Sequence, residues 1–175
     1  RKGVHILVEA FKMANLKNSE LAIAGGGDPR FQAVIDKINA PNTRFLGVVP
    51  NPELPPVYRS ASVFVLPSFE DGFGMVVLEA MASGCPVIVS SSAGASDVVS
   101  EGSNGFIVPA GDVNAIAGHL EYLHRNPDVC VEMGRRAVDT ARRMHSWANY
   151  GNKVSTVYRD LLGGKKRLAP EAQES

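Results

Sequence analysis

Five short apolar runs, each closed by turn-forming residues, alternate with segments of helical periodicity along this chain. The runs are "ELAIAGGG" (20–27), "TRFLGVV" (43–49), "VFVLPS" (63–68), "PVIVSS" (86–91) and "GFIVP" (105–109). Their length and flanking Gly and Pro mark them as strands. Between and around them lie helix patterns. Leu7, Ala10, Phe11 and Ala14 fall at i, i+3, i+4 and i+7, one face of a helix over 4–14. Residues 30–39 and about 53–61 read as helices, 95–101 as a helical turn, and everything from Asp112 to about Leu162 as helix, broken near Asn126-Pro127 and Ser146. Strands interleaved with helices predict a Rossmann-like, doubly wound α/β domain, a parallel sheet with helices on both faces. It is expected to occupy 1–162, with "GGKKRLAPEAQES" (163–175) too poor in apolar surface to pack and hence a flexible tail.

Composition excludes several functions. The 18 Lys+Arg balance the 18 Asp+Glu, so there is no bulk attraction to nucleic acid or an anionic membrane surface. Cys85 and Cys130 have no C-x-x-C spacing and imply no disulfide framework, which fits a reduced, cytoplasmic setting. No apolar run has the length of a spanning helix and no signal peptide opens the chain. It begins Arg-Lys-Gly without an initiator Met, and part of a longer protein is expected. His5, His119, His124 and His145 are scattered, without metal-ligand spacing. Phosphate-loop, metalloprotease and nucleophile-elbow motifs are missing. Gly25-Gly26-Gly27 lacks the final glycine of a dinucleotide fingerprint and reads as a strand-to-helix turn.

One stretch does carry chemistry: "FEDGFGMVVLEAMASG" (69–84). It follows a strand, and open α/β sheets bind ligands at the carboxyl ends of their strands. Gly72 and Gly74 let backbone approach a ligand closely. A helix starting near Phe73–Met75 offers free N–H groups and a positive dipole end to an anion, phosphate above all. Glu79 lies about five residues in, roughly 7 Å along the axis. Its carboxylate suits paired hydroxyls, as on a ribose. The stretch looks like a cradle for a nucleotide sugar; the residues alone leave open that Glu79 faces solvent on an amphipathic helix.

The string "YRSASVFVLPSFEDGFGMVVLEAMASGCPVIVSSSAGASDVV", with "RKGVHILVEAF" before it and "NGFIVPAGDVNAIAGHL" after, resembles the carboxy-terminal domain of retaining GT-B glycosyltransferases of family GT4 (glycosyl transferases group 1). The family signature is an acidic residue, seven intervening residues and a Glu, with Phe-Gly between. The resemblance implies that Arg1 and Lys2 contact the donor diphosphate and that Val49, Pro50 and Asn51 read the base through backbone. It implies that Gly72, Phe73, Gly74 and Met75 face sugar and phosphate, and that Glu79 holds the ribose. The seven-residue spacing puts Asp71 where the family usually has Glu, acting on the transferred sugar; Glu70 is one residue out of register and the choice stays open. Gly94 and Asp97 are expected to form a turn, and Asp112 a helix N-cap.

What the resemblance implies is transfer of a sugar from a nucleoside diphosphate to an acceptor with the anomeric configuration kept, and with neither metal nor cofactor. The family's first strand, its Gly-Arg and its amino-terminal acceptor domain are missing here. The isolated chain is therefore expected to bind donor weakly and catalyse nothing. Peripheral membrane contact is left to the missing domain. A nucleotide-sugar epimerase, a phosphorylase and a non-catalytic nucleotide-binding subunit remain alternatives.

Overall fold

The computed structural model describes residues 1–26, 29–144 and 147–162. The expected tail (163–175) and the break at Ser146 lie outside the described residues. The chain divides into two compact units, Arg1–Arg142 and Arg143–Ser175.

In the first unit the order is α1 (Val4–Ala14), β1 (Leu21–Ala24), α2 (Pro29–Ile38), β2 (Thr43–Gly47), a 3-10 turn (Asn51–Glu53), α3 (Leu54–Ser60), β3 (Phe64–Leu66), α4 (Met75–Ala82), β4 (Val87–Ser90), a 3-10 turn (Gly94–Val98), β5 (Gly105–Val108), α5 (Val113–Arg125) and α6 (Pro127–Met144). All strand pairs are parallel, as alternation with helices requires. They form two sheets: β1 beside β2, and β3, β4, β5 in that order. Two strands are shorter than the sequence suggests. Gly47 turns left-handed (φ 69) and ends β2, leaving Val48 79% exposed. Pro67, with no N–H to donate, ends β3.

β4 shows why the larger sheet must be covered on both sides. Its four residues are all buried. Val87 and Val89 join Tyr58, Leu66, Val77 and Met81 in one core. Ile88, pointing the other way, joins Leu7, Ala10, Phe106, Ile116 and Leu120 in the second. Each such side chain withdrawn from water contributes about 1.5–3 kcal/mol, so this strand anchors both layers. The helix ends obey local chemistry. Asp112 accepts the Ala115 N–H at 2.9 Å and caps α5, as expected. Asn126 closes α5 and Pro127 opens α6, explaining the break.

In the second unit, α7 (Trp147–Leu162) exposes Val157, Tyr158, Leu161 and Leu162. No helix among the described residues is long and apolar enough to cross a membrane.

Candidate functional site

The carboxyl end of the larger sheet gathers three chain segments. α1 starts there, at Gly3. An ideal Cβ on Gly3 would lie 1.9 Å from the Pro67 carbonyl oxygen, so the backbone before α1 rests directly on the end of β3. The Phe69 N–H donates to the Arg1 carbonyl at 2.9 Å and extends this contact. The Ser90 hydroxyl donates to the Ser68 carbonyl, tying the ends of β3 and β4. The loop 69–74 is then pinned from the other side: Asp71 N–H donates to the Ser92 carbonyl at 3.4 Å, and Gly94 N–H to the Asp71 carbonyl at 3.1 Å. The expected turn at Gly94 is thus part of the frame, with Asp97 exposed.

On this frame Lys2 meets Asp71. Their Nζ and Oδ2 atoms are 2.6 Å apart, with the Asp71 side chain 13% exposed and that of Lys2 50% exposed. Glu70 points into solvent. Gly74, left-handed at φ 83, is the N-cap of α4 and supplies no side-chain cap. The Val77 N–H closes on the Gly74 carbonyl at 2.9 Å, which leaves the amides of Met75 and Val76, at the first two positions of α4, without an acceptor inside the helix. A Cβ on Gly72 would meet nothing within 4 Å, whereas one on Gly74 would meet Leu66 at 2.8 Å. Phe73 and Met75 are exposed at the helix start. Phe69 stacks on His5, ring centroids 6.0 Å apart.

Glu79 sits one turn further along α4 and is not the simple solvent-facing residue that its helix alone would allow. It is partly buried, and its Oε2 accepts the Tyr58 hydroxyl at 3.2 Å. Burial and then the neighbouring Glu79 charge push the Tyr58 phenol well above its ordinary range, so it remains a donor. Sequence reasoning gave Tyr58 no role. It lies 21 residues before Glu79 on a different helix, and no spacing rule connects them.

Not every expected residue joins this cluster. Arg1 is exposed and joins through its backbone. Val49, Pro50 and Asn51 follow β2, in the smaller sheet, and make no hydrogen bond to Lys2, Asp71 or Glu79 among the described residues. No group of three or more His, Cys, Asp or Glu is placed to hold a metal among the described residues.

Parallel strands, helices on both faces of β4 and a helix start without a side-chain cap at the strand ends define a Rossmann-like domain. The sequence pattern described as Glycosyl transferases group 1 matches residues 1–126. The chain belongs to that family. It is 38% identical over 122 residues to D-inositol 3-phosphate glycosyltransferase of Corynebacterium glutamicum, covering 70% of this chain and 29% of that protein. It is 35% identical over 179 residues to phosphatidyl-myo-inositol mannosyltransferase of Mycobacterium leprae, covering 97% and 46%. Its fold matches sucrose-phosphate synthase from Thermosynechococcus elongatus with a TM-score of 0.81 and 29% identity, over 93% of this chain and 43% of that one. The chain thus spans less than half the length of these relatives, and the fold is that of GT-B glycosyltransferases.

Proposed function

We propose that this chain is the donor-binding half of a retaining glycosyltransferase of family GT4, taking a sugar from a nucleoside diphosphate. The observation that carries the reading is the convergence of Lys2, Asp71 and the uncapped start of α4 at the carboxyl end of β3. A doubly charged phosphate ester placed there meets a cation and free N–H groups together. As the bond from the anomeric carbon to the diphosphate breaks, negative charge grows on the leaving group, where Lys2 and the helix start can offset it. No metal is needed for that balance. Asp71, in the register seven residues before Glu79, serves the transferred sugar; Phe73, Gly74 and Met75 line it through backbone, with Gly72 leaving room. Glu79 serves the ribose. Arg1 adds charge at the rim, and Val49, Pro50 and Asn51 read the base. The acceptor belongs to the part of the protein outside this chain. Two free thiols, Cys85 and Cys130, support a cytoplasmic setting.

Calorimetric titration of the 175-residue chain with UDP, GDP and ADP tests this. At least one should bind, with unchanged affinity in excess chelator. Silence from all three at millimolar ligand overturns the reading, and binding abolished by chelator overturns its metal-free form.

A further inference from the structure

Tyr58 is a buried side chain whose hydroxyl the proposed site leaves unexplained. It is 6% exposed and sits on α3, a helix that contributes nothing else to the cluster. Its ring is fixed edge-on against Phe64, centroids 5.7 Å apart and planes at 84°. Its backbone is held as well: the Cys85 Sγ lies 2.9 Å from the Tyr58 carbonyl oxygen and 3.2 Å from that of Ala61, which share its single S–H. Burial pushes that thiol up to about 11, so it stays protonated and keeps its one S–H for these carbonyls. A phenol held at both ends in this way has little freedom, and its hydroxyl is aimed at Glu79 Oε2.

A carboxylate has two oxygens and about four acceptor directions. On an exposed helix face it samples several rotamers, and each must be given up when a ligand binds. Here one oxygen is already committed to Tyr58. The other, Oε1, is left for an outside donor. We infer that Tyr58 is a positioning residue that orients Glu79 so that one carboxylate oxygen is presented to the ribose hydroxyls of the donor. It touches neither sugar nor phosphate itself. The inference rests on the donor-site reading above and adds to it a residue on a separate helix, α3, that selects for a ribose diol.

The test compares ribose with 2′,3′-dideoxyribose nucleoside diphosphates, using the base to which the wild-type chain responds. Tyr58→Phe keeps the ring against Phe64 and removes only the hydroxyl. It should weaken the ribonucleotide roughly five- to tenfold, the order of one ordinary hydrogen bond, because Tyr58 acts on the ligand only through Glu79. Affinity for the dideoxy ligand should not change. In a Glu79→Ala background the same Tyr58→Phe change should have no further effect on either ligand, which a merely structural role would not produce. Equal losses for ribose and dideoxyribose ligands would overturn the inference and make Tyr58 a packing residue. So would an unchanged ribonucleotide affinity in Tyr58→Phe where Glu79→Ala does weaken it, leaving the donor site intact. A wild-type chain that binds no nucleotide overturns the site reading and this inference with it.

Discussion

Gly3→Ala should destabilise the first unit by about 2–5 kcal/mol, combining a left-handed backbone cost with overpacking. In thermal unfolding that corresponds to a drop on the order of 10 °C for a domain of this size. The cause is local and severe. Gly3 has φ +67, and its Cβ would fall 1.9 Å from the Pro67 carbonyl oxygen. Backbone on one side and the end of β3 on the other leave no flexible atom to yield. Gly102 is the matching control: its φ is also +67, but nothing lies within 4 Å of its Cβ. Gly102→Ala should therefore bear only the backbone cost, about 1–2 kcal/mol. The difference between the two variants in urea or thermal unfolding isolates the contact that seats α1 on β3. Equal effects would mean that the seat can relax, and that Lys2 is not held where the site needs it.

Lys2→Ala should weaken nucleoside diphosphate binding roughly 10- to 100-fold, since charge-assisted hydrogen bonds contribute about 1.5–3 kcal/mol. Binding of the bare nucleoside should scarcely change, and the salt dependence of diphosphate binding should flatten. The structure adds a complication that sequence spacing does not reveal: without ligand, Lys2 is paired to Asp71 at 2.6 Å. The two roles are therefore coupled. Asp71→Asn removes a negative charge beside the phosphates and releases Lys2, so it should tighten free diphosphate by a few-fold, in line with about 1 kcal/mol of screened repulsion. In the complete enzyme the same variant should lower turnover, because the carboxylate for the sugar is gone. Calorimetry with diphosphate and with nucleoside reads both changes. Equal losses of the two ligands in Lys2→Ala would assign Lys2 to the base or to folding.

The strands were legible because each is a short apolar run ended by a residue with a specific backbone reason to stop. "PVIVSS" reads as a strand, and the fold adds that β4 is buried on both faces, with Val87 and Val89 in one core and Ile88 in the other. Turn chemistry was legible where one residue sets it, as at Asp112 and Asn126. What stayed hidden depends on contacts across long sequence separations. Nothing in "ELAIA" or "TRFLG" says that β1 and β2 pair only with each other among the described strands. The pairing of Lys2 with Asp71 spans 69 residues, and that of Tyr58 with Glu79 spans 21. Spacing could propose Asp71 over Glu70, but only the fold shows Asp71 turned toward Lys2 while Glu70 faces solvent.

The central claim is that a nucleoside diphosphate binds at the start of α4, beside Lys2. An amide-resolved NMR titration of the isotope-labelled chain with the responding nucleotide examines it most directly. Shifts should concentrate on the amides of Gly3 and of 72–77, the segments that frame the proposed phosphate position, with Glu79 following as the ribose seats. Shifts confined to α7, or to the open aromatic hollow lined by Phe106, His119 and Tyr122, with Gly3 and 72–77 unmoved at saturation, would contradict the account.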